Sequence, residues 1–345
     1  MPLDIQPPIR VSEGHQVDTD PNTCDICGGQ SFDLLYFRED FSIPAQEHFR
    51  IFKCKSCGLV FVHPQPSDDN LTFHYSSTYY SYRPFETLGR RDRFAALVRS
   101  GEDGYALRLK NPRRAVAIVS NRLFSRIVTM VPFIRQGRIL DVGCGSGSFL
   151  YEMKQLGLEP YGIDINREAI AHAKSKGLHA HLGDLASCKF PDKFFDIITL
   201  RSVIEHVRNP RATLCEIYRV MKDEGLLILN TPNIASYEAR LFGVYWSALD
   251  TPRHLFLFSL GTLQRVLHDC GFSVSHVDWL AFTPDQFLNS MRNARKFGKI
   301  SSTRTLELSL RWTAIQPLLC LASASRASSF GSILTLYAKK NANRG

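Results

Sequence analysis

The chain has 345 residues, 44% of them hydrophobic and 22% charged, with a net charge of +9. Such a composition suits a soluble globular protein with one large core and room for a smaller unit, and no apolar run approaches the ~20 residues that a membrane-spanning helix needs. Four of the nine cysteines fall in two C-x-x-C pairs. In a chain this rich in core residues, that argues against a disulfide-stapled secreted scaffold and for one metal site in a reducing cytoplasm.

Met1 to Asp20 is polar and carries prolines, so residues 1–20 are expected to be a flexible tail and not a signal peptide. Residues 21–85 hold Cys24-Asp-Ile-Cys27 and Cys54-Lys-Ser-Cys57, with a glycine after each pair. A C-x-x-C turn places two thiolates on one side of a tight knuckle. Two knuckles make a tetrahedral zinc site, so Cys24, Cys27, Cys54 and Cys57 are the expected ligands of a zinc-ribbon-like module. Four thiolates leave no open position for a reacting water, which makes a structural Zn2+ the expectation. Phe49–Lys53 and Leu59–Val62 read as short strands. His74 to Tyr82 is dense in hydroxyls and aromatics, suited either to lining a polar pocket or to covering the main domain. Residues 86–135 are expected to form two or three basic helices leading into that domain. Leu88 to Arg138 contains twelve basic residues against Asp92, Glu102 and Asp103. Such a surplus is a solvated face or a surface for an anionic substrate, an anionic membrane or nucleic acid.

From residue 136 to 345, strands and helices alternate. Strands are expected over 138–143, 160–164, 178–182, 194–200, 225–230, 272–280 and 332–339. The helices between them cover 149–156, 167–176, 210–221 and 260–270. This is the pattern of an α/β, Rossmann-like doubly wound domain with a mostly parallel seven-stranded sheet. Residues 281–331 then form an insertion. Its stretch from Trp312 to Ser325 carries no charge, and suits either a packed helix or a peripheral membrane contact.

Three glycines, Gly143, Gly145 and Gly147, follow the first strand of this domain, in the place where doubly wound folds hold a nucleoside cofactor. Asp141, Asp164 and Asp184 close three successive strands. Three acids along the carboxyl edge suit a cofactor that carries positive charge and no phosphate, and would repel a pyrophosphate.

The motifs Ile139–Gly147, Tyr161–Ile165, Gly183-Asp184, Phe195–Ile198, Ser202–His206 and Gly225–Asn233 together resemble a class I S-adenosylmethionine-dependent methyltransferase. The segments Phe242–Trp246, Leu249–His254 and Phe258–Leu263 are similar to the branch of that family found in polysaccharide and natural-product gene sets. The cysteine pairs and the strip after them are similar to the zinc-binding module that precedes sugar C-methyltransferases. The resemblance implies S-adenosyl-L-methionine as cofactor. Asp141, Gly143, Gly145 and Gly147 would hold its amino-acid end, and Asp164 its ribose. Ile165, Asp184 and Leu185 would frame the adenine, and Arg201 would lie beside the cofactor. His206 and His254 follow the fourth and fifth strands and are the candidate bases, because a near-neutral imidazole suits proton removal from an acceptor. Glu205 orients His206 or simply begins a helix. Arg253 is read as holding an anionic substrate group or as a surface ion pair; Tyr245 and Trp246 as sugar-stacking or core aromatics. The expected acceptor is a small molecule, a sugar, nucleotide-linked sugar or cell-surface polysaccharide precursor, in the cytoplasm. The alternatives are an RNA methyltransferase that grips its substrate with the basic helices, and a non-catalytic zinc-ribbon scaffold.

Overall fold

The computed structural model describes residues 20–43, 48–67, 71, 74–75, 82–86, 90–110, 112–124, 129–280, 284–298, 307, 310 and 331–341. Its centre is a seven-stranded sheet. In chain order the strands are β4 (Arg138–Val142), β5 (Glu159–Asp164), β6 (His179–Leu182), β7 (Phe195–Arg201), β8 (Met221–Pro232), β10 (Phe272–Leu280) and β11 (Ile333–Lys340). Their spatial order is β10-β11-β8-β7-β4-β5-β6. The five strands from β6 to β8 are parallel, and β11 is antiparallel to both of its neighbours. Helices cover both faces, so the centres of β4 and β7 are largely buried. Ile139, Leu140, Ile197, Ile198 and Leu200 have no exposed surface.

The crossover helices begin where the sequence supplies caps. In α5 (Arg167–Ser175) the Asn166 side chain accepts from the Ala169 amide. In α6 (Pro210–Val220) Asn209 accepts from the Ala212 amide ahead of a proline in the first turn. Before β10, α8 (Leu260–Asp269) opens on a capping box between Ser259 and Thr262. The first crossover helix, α4 (Ser148–Gln155), starts directly at Gly147.

The N-terminal module consists of antiparallel β1 (Phe32–Glu39), β2 (His48–Cys54) and β3 (Val60–His63). It does not close on itself. Its fourth strand is β9 (Phe256–Leu257), which lies 193 residues beyond β3, with Phe61 opposite Phe256 and Val60 opposite Leu257. One hydrophobic core accordingly runs through both units. Ile26, Phe52, Leu59 and Phe61 of the module belong to the same buried cluster as Leu255, Phe256, Phe258 and Leu263.

The basic segment folds into α1 (Arg90–Ser100), α2 (Asp103–Ala106) and α3 (Arg113–Phe124). Part of its charge is used inside the protein. Arg99 pairs with Glu152 of α4 at 2.5 Å, both buried, and donates to the Thr129 carbonyl. Arg108 donates to the Leu156 carbonyl.

After β8 the chain forms α7 (Tyr237–Phe242) and two short 3-10 turns. These pack against α9 (Pro284–Lys296), the described part of the insertion, through Phe242, Trp246, Phe287 and Met291. The uncharged stretch Trp312–Ser325 lies outside the described residues. Among the described residues no helix is long and apolar enough to cross a membrane.

Candidate active site

The glycine turn after β4 is pinned to the end of β5. The Gly143 and Cys144 amides donate to the Ile163 carbonyl, and the Gly145 amide donates to Asp164 Oδ2 at 2.8 Å. Gly147 has φ +92°, and a Cβ there would meet Leu178 at 2.9 Å and Ala173 at 3.0 Å. Glycine is needed both for that backbone and for the close approach of α4 to α5. Asp164 also accepts from the Asn166 amide through Oδ1. Each of its oxygens therefore keeps lone-pair capacity for a further donor at the carboxyl edge. Next to it, Ile165 is 70% exposed. Such an apolar side chain presented to solvent beside a carboxylate suits a flat ring above it and a hydroxylated group below.

The other predicted cofactor residues are placed differently. Asp141 has no exposed surface. It accepts from Thr199 Oγ1 at 2.6 Å and is paired with Arg201, whose guanidinium lies 3.8 Å from the centre of the Phe149 ring. Asp141 thus acts on its surroundings through Arg201, the more exposed partner. Asp184 accepts from the Ser187 amide, which holds its carboxyl below the usual range. The Leu185 side chain is buried in the core cluster that contains Ile163 and Phe190, so only its main chain is available at the edge.

His206 and His254, 48 residues apart in sequence, lie with ring centres 4.6 Å apart and nearly perpendicular. Nδ1 of His206 is 2.8 Å from the Tyr75 hydroxyl and 2.9 Å from the Arg253 carbonyl. Nδ1 of His254 is 2.8 Å from the Ala248 carbonyl. Loss of hydration pushes His206 down to about 3, and the adjacent His254 ring adds to this. Burial lowers His254 as well. Both rings are therefore neutral near pH 7. Glu205 has no exposed surface and accepts from Thr231 Oγ1 at 3.0 Å. Burial pushes its carboxyl up to about 8. One donor atom from each of Glu205, His206 and His254 lies within 4.8 Å of the other two. The cluster has the spacing for proton transfer and for holding a divalent cation.

Arg253 departs from both sequence expectations. It is 4% exposed and lies neither on the surface nor in an anion pocket. Its guanidinium contacts Asp40 through two nitrogens, Asp250 through two, Ser42 Oγ and the His74 carbonyl. Five N–H donors are fully engaged by this set. Trp246 is wholly buried and Tyr245 nearly so, in the cores around α7 and α9, and neither is presented for stacking on a sugar.

The residues that sequence reading missed are Tyr75, Asp40 and Thr231. Tyr75 falls within the strip singled out for its aromatics and hydroxyls. Asp40 gave no signal, since its partner is 213 residues away.

In the module, Cys24 Sγ lies 3.6 Å from Cys57 Sγ, and Cys27 Sγ 3.6 Å from Cys54 Sγ; all four sulfurs are within 4.8 Å of one another. Tetrahedral zinc with Zn–S bonds of about 2.3 Å requires sulfur separations near ~3.8 Å. The four thiols fit that ion.

Residues 113–277 match a family model described as "Methyltransferase domain". The chain carries a class I S-adenosylmethionine-dependent methyltransferase domain. It is 29% identical over 174 residues to a ubiquinone biosynthesis O-methyltransferase of Rhodopseudomonas palustris, a match covering 47% of this chain and 69% of that one. It is 26% identical over 167 residues to a malonyl-[acyl-carrier protein] O-methyltransferase of Yersinia pestis, covering 48% of this chain and 61% of that one. The crystal structure of a SAM-dependent methyltransferase from Archaeoglobus fulgidus superposes with a TM-score of 0.43 at 23% identity, over 65% of this chain and 93% of that one. Both O-methyltransferase matches fall on roughly half of this chain. The methyltransferase domain shares its core with the N-terminal module, and its loops after β7 and before β9 carry the histidine cluster.

Proposed function

We propose that this methyltransferase moves the methyl group of S-adenosyl-L-methionine to a hydroxyl or carbon of a small molecule, and that His206 is the base. The observation that carries the reading is the pair of neutral, closely packed imidazoles formed by His206, in the loop after β7, and His254, in the loop before β9. When bound, the cofactor supplies an electrophilic methyl group. The chain's own residues do the rest. Asp164 would hold the ribose hydroxyls and Ile165 would pack on the adenine, and Gly145 stays in place because its amide is tied to Asp164. Arg201, held by Asp141, sits where the amino-acid end would lie. His206 is the group placed to take the acceptor's proton; burial and the adjacent His254 ring keep it neutral and also weaken it as a base in the empty site. Proton removal by a positioned base contributes about 10²–10⁴-fold.

The O-methyltransferase names of the two relatives support an oxygen acceptor. The cysteine module and the segments after β8 support a sugar, nucleotide-linked sugar or polysaccharide precursor. Zinc in the module acts structurally: it ties the two knuckles together, and through β9 this supports the loop that carries Arg253 and His254.

The test is incubation with methyl-tritiated S-adenosylmethionine and, in parallel, small-molecule extracts or total RNA, with label followed into methylated products. Label in a sugar-containing hydroxyl product supports the reading, and label retained on RNA overturns it. Turnover that requires an added divalent cation would replace the base by a metal held at Glu205, His206 and His254.

A further inference from the structure

Two groups reach Nδ1 of His206, the Arg253 carbonyl at 2.9 Å and the Tyr75 hydroxyl at 2.8 Å. A carbonyl oxygen only accepts. A bare Nδ1 would set two lone pairs against each other, so the ring proton sits on Nδ1 and leaves Nε2 free. The main chain of residue 253 thereby selects the tautomer of the ring at the centre of the cluster.

The same residue is fixed by its side chain. Arg253 Nη1 and Nη2 bind the two oxygens of Asp40 at 2.7 and 3.1 Å, and Nε binds Asp250 at 3.0 Å. Asp40 follows directly on β1, in the cysteine module, and is 3% exposed. It is itself immobilised by the amides of Ser42 and Ile43 and by His74 Nδ1 at 2.7 Å. A bidentate fork between two buried, fully hydrogen-bonded groups fixes direction as well as distance. The main chain shares in setting that carbonyl: the His254 amide donates to the Asp250 carbonyl at 3.1 Å and the Leu255 amide to the Glu205 carbonyl at 2.8 Å. Asp250 is itself anchored to the Arg253 guanidinium, so the fork to Asp40 fixes this side of the loop.

We propose that Asp40 is a positioning residue for the methyl-transfer site, holding the Arg253 main chain so that His206 keeps its proton on Nδ1 and presents Nε2. This rests on the reading of His206 as the base. It makes the N-terminal module part of the reaction centre: the module determines which nitrogen is basic. A purely structural tie between two units would leave the tautomer untouched.

The tautomer can be read without knowing the acceptor. In full-length protein with 15N-labelled histidine, a long-range proton–nitrogen correlation spectrum separates a fixed Nδ1–H ring, with two widely split nitrogen signals, from an exchanging one, in which they merge. His206→Ala identifies the resonance. The parent is expected to show the fixed Nδ1–H pattern, and Asp40→Asn the merged one with an otherwise native backbone amide spectrum. Arg253→Lys keeps the charge but lacks the fork; it decides the matter if Asp40→Asn does not fold, and should also merge the signals. A parent protonated on Nε2 overturns the proposal. So does a folded Asp40→Asn, or in its place a folded Arg253→Lys, whose His206 pattern is unchanged. Failure of the base reading shows separately, as labelled methyl transfer that survives His206→Ala while the tautomer remains fixed.

Discussion

The two halves of the proposed reaction centre are built in opposite ways. The cofactor edge comes from one short stretch of chain: the glycine turn, Asp164 and Ile165 lie within 23 residues, and local hydrogen bonds from Gly143, Cys144 and Gly145 hold them. The proposed acceptor side is assembled from Asp40, Tyr75, Glu205, His206, Thr231, Arg253 and His254, through contacts that span up to 213 residues. A cofactor common to many reactions can be held by a local, transferable device. The group that must meet one acceptor is placed by the tertiary packing of two units, where a buried ion pair fixes what loops alone would leave loose.

The contrast can be broken at either end. The largest effect is expected at the acceptor side: His206→Ala should slow labelled methyl transfer by ~10²–10⁴-fold while calorimetric binding of S-adenosylmethionine is retained. Equal loss of both would mean that the two halves are not separable. At the cofactor edge, Asp164→Ala removes charge-assisted bonds to the ribose and frees the Gly145 amide. Its expected cost is ~100-fold in cofactor affinity, read by the same calorimetry, with the melting profile nearly intact. The module lies between these extremes. Cys24→Ser should cut bound zinc from about one per chain, measured by atomic absorption, and lower the melting temperature. If His206 feels the module, its nitrogen signals should change together with the loss of zinc.

The smallest effects are in pH dependence. Burial pushes Glu238, which faces Ser332 and Trp246 in α7, up to about 8. A carboxyl with a folded value above its unfolded value of about 4.3 stabilises the fold fully only below the latter, and that contribution is lost as pH rises through 8. Glu238→Gln should therefore melt roughly 5 °C above the parent at pH 9 and close to it at pH 5, by scanning calorimetry. His206 acts at the other side. Its folded value of about 3 lies below the unfolded value near 6.5, so the unfolded chain binds the extra proton and stability falls as pH drops from about 6.5 toward 3. His206→Gln should flatten that acid limb.

Much of this was legible in the chain. The seven strands appear within one or two residues of expectation at most ends because most carry apolar residues in a short run or alternation bounded by an acid, glycine or helix cap. The exception is β8, which begins at Met221 and not at Gly225, since pairing with β7 draws in the residues before the glycine. The cysteine knuckles were equally readable, because two fixed spacings bring four thiols together. The two-residue strand β9 was not: nothing in Phe256-Leu257 distinguishes a strand from a loop until β3 lies beside it. Arg253 misled for a similar reason. An arginine next to a histidine after the fifth strand reads as an anion binder, and only the fold brings Asp40 to it.

The sequence by itself determined the periodic elements, the glycine turn with its acids and the four-cysteine cluster, because each depends on neighbours within a few turns of chain. Only the tertiary structure decided that the module and the methyltransferase domain share one core and that a buried guanidinium joins them. It also decided which histidine nitrogens face protein carbonyls. Those outcomes depend on burial and on distances between residues far apart in the chain, and a charge or an imidazole has no fixed role until packing has removed its water and supplied its partners.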